Sequence, residues 1–147
     1  MNRKEFIQLC GLACIGGSVL TPILLGCSGS SMLNGEISGS DIIVPLDSFT
    51  IQGSPTSYRE SVIVYNKQLA YPICVYRFSE SRYSALWMRC THQGAELQVF
   101  GDRLECPAHG SAFTDTGAVL NGPASEPLRS LPVTVENNRL RISLKQS

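Results

Sequence analysis

An all-β domain, an antiparallel sandwich or small barrel, is the fold class this sequence predicts, and three observations predict it. From residue 41 onward, short runs rich in Ile, Val, Tyr and Phe are punctuated by Gly, Pro, Asn and Ser. Two pairs of these runs meet at turn dipeptides, as hairpins do. No stretch after Cys27 sustains a helical period of apolar residues over three turns. The 147 residues suffice for one domain with its own core. Twelve basic residues balance twelve acidic ones, so the formal net charge is zero and nothing marks a nucleic-acid-binding surface.

The elements follow in chain order. A short basic start, "MNRKEF", precedes the apolar stretch "IQLCGLACIGGSVLTPILL", the pattern of an export signal over residues 1–26. Gly11, Gly16, Gly17 and Pro22 make the alternative, a membrane-spanning helix, a poor one. The ending Leu24-Leu25-Gly26-Cys27 resembles the lipobox of bacterial lipoproteins, in which cleavage leaves a lipid-modified cysteine first. Several acyl chains on Cys27 would hold the protein at a membrane without a spanning segment, since stable anchoring needs more than one chain. "NRKEFI" resembles a twin-arginine export signal with Lys4 in place of the second arginine, which leaves the export route open. The expected location is the periplasmic side of a bacterial cell envelope, with the chain membrane-anchored through Cys27. The polar stretch "SGSSMLNGEISGS" reads as a flexible tether, giving a tether over 27–40 and a domain over 41–147.

Within the domain, "DIIVPLDSFT", "ESVIVYNKQ", "YPICVYRFS" and "YSALWMRC" read as strands. "ELQVF" and "RLEC" form a hairpin about Gly101-Asp102, and "LPVTVE" and "RLRISL" another about Asn137-Asn138. Cys74, flanked by apolar residues, reads as a small buried hydrophobe. Leu86 and Trp87 are expected to pack together beneath the loops that follow them.

Those loops carry the chemistry. Both histidines of the chain lie beside a cysteine, in Cys90-Thr91-His92 and Cys106-Pro107-Ala108-His109. Cys10 and Cys14 fall in the signal and Cys27 at the anchor, so Cys74, Cys90 and Cys106 remain, too few for a disulfide framework. The Gly101-Asp102 hairpin joins the two clusters and brings its ends together, so two thiolates and two imidazoles can converge. Zinc takes such a set, but usual fingers put cysteines in one knuckle and histidines in the other. A binuclear centre, one metal on both thiolates and the other on both imidazoles, suits mixed loops better. A disulfide with two surface histidines is a third reading.

"CTHQGAE" and "CPAHGSAF" resemble the Rieske iron–sulfur family, strongly from Trp87 to Leu128 and more weakly over the rest of the domain. The resemblance implies a Rieske-type β-sandwich with a cluster-binding subdomain of two loops on a hairpin. It implies one [2Fe-2S] cluster bound by Cys90, His92, Cys106 and His109. Gly94 and Gly110 would allow close backbone approach, Ser111 matches a position whose hydroxyl bonds a bridging sulfide, and Pro123 lies in a stretch, "NGPASEPL", similar to the family's proline loop. Departures from the pattern bear on function. Rieske proteins of cytochrome bc complexes carry a cysteine pair, joined as a disulfide, where this chain has Ala95 and Ala108. Phe113 stands where they have a tyrosine, and Gln93 where they have an apolar residue. The resemblance thus implies one-electron transfer, with no catalytic residue of the chain's own, to a redox protein partner such as a larger oxidoreductase subunit or a cytochrome. The contexts left open are a carrier or small oxidoreductase subunit, a quinol-oxidising subunit of a bc-like complex, a ferredoxin for a ring dioxygenase, and a zinc-stabilised binding module. The expected midpoint potential lies inside the family range of roughly −150 to +300 mV, below the bc-type members.

Overall fold

The computed structural model describes residues 30–145. The expected export signal, with Lys4, Cys10 and Cys14, and the expected lipidated Cys27 therefore lie outside the described residues. The chain begins with β1 (Ser31–Asn34), β2 (Glu36–Ser38) and β3 (Asp41–Pro45), then a single 3-10 turn at Leu46–Phe49. A small hairpin follows, β4 (Thr50–Ile51) and β5 (Ser54–Tyr58), and then β6 (Ser61–Tyr65), β7 (Ile73–Arg77) and β8 (Tyr83–Trp87). The next four strands are β9 (Gln98–Phe100), β10 (Arg103–Glu105), β11 (Ala112–Thr114) and β12 (Val119–Asn121). The chain ends with β13 (Ser130–Leu131), β14 (Val133–Glu136) and β15 (Arg139–Ser143). Among the described residues, no helix is long and apolar enough to cross a membrane.

Three layers form. The central sheet has the order β1-β6-β7-β8-β13, and one flanking sheet has the order β14-β15-β3-β2. The other flanking sheet, β12-β11-β10-β9, is an insertion between β8 and β13. The sheets stay open, so the small-barrel alternative is not the one adopted. Strands β6 and β7 are buried on both faces, which explains why "SVIVY" and "ICVYR" are near-continuous apolar runs without alternation. Val62, Val64, Ile73, Val75 and Ala85 face the β14-β15-β3-β2 sheet and meet Ile42, Val44, Leu140 and Ile142. Ile63, Cys74, Tyr76 and Leu86 face the inserted sheet and meet Leu104 and Phe113. Each fully buried aliphatic or aromatic side chain contributes about 1.5–3 kcal/mol.

Three expectations need correction. Residues 31–38, read as tether, are β1 and β2: Ser31 to Asn34 pair with Val62 to Tyr65, and Glu36 to Ser38 pair with Ile43 to Asp41. The β1–β6 pair is parallel, so the fold is not purely antiparallel. Trp87 does not join Leu86 beneath the ligand loops. Successive side chains on a strand point to opposite faces, so Leu86 enters the core under the inserted sheet while Trp87 packs on the other side. Its ring lies 6.1 Å from that of Tyr71 and under the Arg129 guanidinium at 5.4 Å.

The turns match their residues. Asn137 and Asn138 both have positive φ, 49° and 61°, as a two-residue type I′ hairpin turn demands. Between β1 and β2, the Gly35 N–H donates to the Tyr65 carbonyl at 2.9 Å, and its carbonyl accepts from the Asn66 side chain at 2.9 Å. A β-carbon on Gly35 would stand 2.6 Å from both Ile42 and Val64, which are fully buried. Gly35→Ala is therefore expected to cost about 1–3 kcal/mol by overpacking, read as a lowered urea midpoint. An unchanged midpoint would mean that β1 and β2 do not press on this core.

Candidate metal centre

The two ligand loops are built alike. In the first, the Cys90 N–H donates to the Ala95 carbonyl at 2.8 Å, and the Cys90 carbonyl accepts from the Gly94 N–H at 2.9 Å. In the second, the Cys106 N–H donates to the Ser111 carbonyl at 2.8 Å, and the Cys106 carbonyl accepts from the Gly110 N–H at 3.0 Å. Each loop caps an antiparallel pair, Arg89 opposite Glu96 and Glu105 opposite Ala112. Closing the loop onto the cysteine carbonyl puts the fifth residue in the left-handed region. Gly94 has φ 78° and Gly110 φ 80°, conformations that a side chain penalises. The mirrored spacing of the sequence is thus one backbone device used twice, carried on the β9–β10 hairpin, whose turn has φ 59° at Gly101.

Inside this frame the four donors divide by type. Cys90 and Cys106 are buried, 1% and 3% exposed, and neither is in a disulfide. His92 and His109 are exposed, with their rings edge-to-face at 5.0 Å between centroids. Burial pushes the Cys106 thiol up, but the backbone N–H groups of His109 and Ala108 and the Cys90 thiol outweigh it, so the net shift is downward. A lowered thiol favours thiolate, the form that ligates metal. Cys74 is the opposite case: fully buried in β7, its thiol is pushed up to about 12 by burial, with the Tyr76 hydroxyl only partly offsetting this. It is placed as core on β7, in the cluster that also holds Cys90 and Cys106 but outside the ligand loops.

A third segment braces both loops. The Thr91 hydroxyl donates to the Glu126 carbonyl at 2.7 Å, and the Asn121 side-chain amide donates to the Gly110 carbonyl at 3.1 Å. The Ala124 N–H donates to the Ser111 hydroxyl oxygen at 3.0 Å, and Ser111 is fully buried. The stretch 121–126, with exposed Pro123 in its middle, therefore lies against both loops. From behind, the Tyr71 hydroxyl donates to the Gly94 carbonyl at 2.6 Å. Phe113 is fully buried in the same core as both cysteines, in a cross-strand row with Leu104, Val99 and Val119. Sequence reasoning missed Tyr71 and Thr91, and placed Asn121 and Glu126 only within the proline-loop-like stretch. Each reaches the loops through a hydrogen bond to a residue well separated in the chain, and no local spacing announces such a contact.

The donor chemistry tests which group fits. A single tetrahedral zinc needs four donors around one point, about 2.0–2.3 Å away. A buried thiol pair with an exposed imidazole pair instead fits a group with two unlike ends, as when one iron takes two thiolates and the other two imidazoles.

Comparison with known proteins points the same way. The family model described as "Rieske [2Fe-2S] domain" matches residues 51–132. The cytochrome b6-f complex iron-sulfur subunit of Chlorobaculum tepidum is 32% identical over 57 residues, 37% of this chain and 32% of that protein. The iron-sulfur subunit of the toluene-4-sulfonate monooxygenase system of Comamonas testosteroni is 37% identical over 78 residues, 47% of this chain and 22% of that protein. The chain thus spans about a third or less of the length of these relatives. The crystal structure of the plasma membrane Rieske protein of Synechocystis PCC 6803 superposes with a TM-score of 0.50 at 26% identity, covering 57% of this chain and 86% of that one. With twin loops, paired donors and more than half its length matched, the chain belongs to the Rieske [2Fe-2S] domain family and its cofactor is one [2Fe-2S] cluster.

Proposed function

We propose that this protein is a one-electron carrier, or the small electron-transfer subunit of an oxidoreductase, held at the outer face of a bacterial membrane by lipid on Cys27. The observation that carries the reading is the polarity of the site: thiols inside, imidazoles outside. The cluster supplies reversible one-electron chemistry. The chain holds it by Cys90, Cys106, His92 and His109, shields its thiolate end with the inserted core, and leaves its imidazole end open to a redox partner. The partner classes named among the relatives, a cytochrome b6-f complex and a monooxygenase system, make a cytochrome-like or oxidoreductase partner the natural one. A quinol-oxidising role fits less well, because Ala95 and Ala108 exclude a loop disulfide and Gln93 puts an amide beside His92.

Anaerobically purified protein is expected to be coloured and to give a reduced-state EPR signal. A colourless protein with one zinc per chain would end the redox reading in favour of a zinc-stabilised module. Ser111 gives a finer test. Its oxygen already accepts from Ala124, so its own proton is free for an acceptor in the buried site. Ser111→Ala should lower the midpoint potential in protein-film voltammetry, because a donor that favours the more negative reduced state is removed. It should also cost about 1–3 kcal/mol by orphaning the Ala124 N–H. A lost stability with an unmoved potential would leave Ser111 a purely structural role.

A further inference from the structure

We infer that the imidazole face points away from the membrane, and that the redox partner is a water-soluble protein meeting it from the aqueous side. The inference rests on the reading of Cys27 as the lipid anchor. It comes from where β1 enters the central sheet.

The sheet has two poles. Strands β1, β6 and β8 run in one direction and β7 in the other. Ser31 lies level with Val62, Val75 and Ala85, and the Ser30 hydroxyl is 3.1 Å from that of Ser61. Ser61, Tyr76 and Ser84 make the row at that pole. The ligand loops leave from the other pole, beyond Trp87, where Tyr71 reaches Gly94. From the Ser61, Tyr76 and Ser84 row, where the chain enters, to Trp87 at the end of β8 is three strand residues, about 10 Å, and the ligand loops lie beyond that.

The pairing of β1 shortens what lies between lipid and domain. From Cys27 to Ser30 is three residues, about 10 Å at full extension. For His92 and His109 to meet the bilayer, the domain would have to invert, and its link would have to run back along the sheet past the site. Three residues do not reach. A tether running to residue 40 would have allowed it.

The face itself suits a protein that arrives by diffusion and leaves. His92, Gln93, Pro107, Ala108, His109 and Pro123 are exposed there. Within Cys90–Gly94, Cys106–Gly110 and the brace 121–126, Glu126 alone carries a formal charge. A small, nearly uncharged contact gives little electrostatic steering and permits brief encounters.

The test uses the full-length lipidated protein on phosphatidylcholine vesicles bearing Ni(II)-chelating headgroups, with relaxation of the reduced-cluster EPR signal as readout. Lipid-borne Ni(II) is expected to leave the relaxation unchanged, and a dissolved Ni(II) chelate to accelerate it. Inserting about twenty Gly/Ser residues between Ser28 and Gly29, a flexible coil long enough to span the sheet, should make the signal sensitive to lipid-borne Ni(II). Reduced protein on vesicles should pass one electron per ferric haem to dissolved c-type cytochrome as fast as protein released in detergent. Acceleration by lipid-borne Ni(II) without the insertion, or loss of cytochrome reduction on vesicles, overturns the orientation. If the protein fails to float with vesicles, or Cys27→Ala floats equally well, the anchor reading falls and takes this inference with it.

Discussion

Cys106→Ser protein, purified without oxygen, is expected to contain no iron above background and to show no reduced-state EPR signal, against two irons per chain in the parent. The sulfur of Cys106 is buried, and the backbone N–H groups of Ala108 and His109 bias it towards thiolate. A hydroxyl is a harder, more basic ligand that stays protonated, so the thiolate end loses half its donors. Loss of cofactor should not mean loss of fold. The core between the central sheet and β14-β15-β3-β2 contains no ligand residue, so the far-ultraviolet dichroism of strands should persist. His109→Ala, at an exposed position, should empty the site with even less effect on packing. Cys74→Ser is the matching control. It alters a thiol just as deeply buried, yet its iron content should equal the parent's, because that thiol lies outside the ligand loops and is held protonated. Iron retained in Cys106→Ser, or lost in Cys74→Ser, would overturn the ligand assignment.

What could be read in advance divides along a physical line. Ligation chemistry needs particular atoms at short, fixed spacing, so Cys90, His92, Cys106 and His109 stand out as candidate ligands in a single chain. The glycines that close the loops are visible for the same reason: Gly94 and Gly110 occupy positions where a side chain is penalised. Asn137-Asn138 marks its turn because both residues tolerate positive φ. The strands β1 and β2 were hidden because "SMLN" and "EIS" have little intrinsic strand preference. They exist because β6 and β3 offer open edges, and Gly35 lets the chain pass over Ile42 and Val64 between them. The face that Trp87 takes is not legible in sequence, because a run of apolar residues does not state its parity when both faces of a sheet are covered. The brace over the loops was legible as a proline-containing segment. Its fastening by Thr91, Asn121 and Ser111 was not, since each bond joins residues that only the fold brings together.

Phe113→Ala is expected to have the largest effect on stability of any substitution outside the ligands, about 3–5 kcal/mol. Phe113 is fully buried and contributes to the inward row of the inserted sheet, between Leu104 on β10 and Val119 on β12. That sheet is small, and its core is also the floor beneath Cys90 and Cys106. A cavity there removes dispersion contacts from the two strands that carry the second ligand loop. The urea midpoint of the holoprotein should fall, and iron should be lost to a chelator faster than from the parent while the protein is still folded. Phe113→Leu, which keeps most of the volume, should recover much of the midpoint. Phe113→Tyr separates packing from electrostatics, because it keeps the ring and adds one hydroxyl in a core shared with both cysteine sulfurs. A hydroxyl that donates to a ligand sulfur stabilises the reduced cluster, so the midpoint potential should rise with little change in the urea midpoint. If Phe113→Tyr leaves the potential where it was, the ring at this position acts through packing alone, and the low-potential reading must rest on the absent disulfide at Ala95 and Ala108.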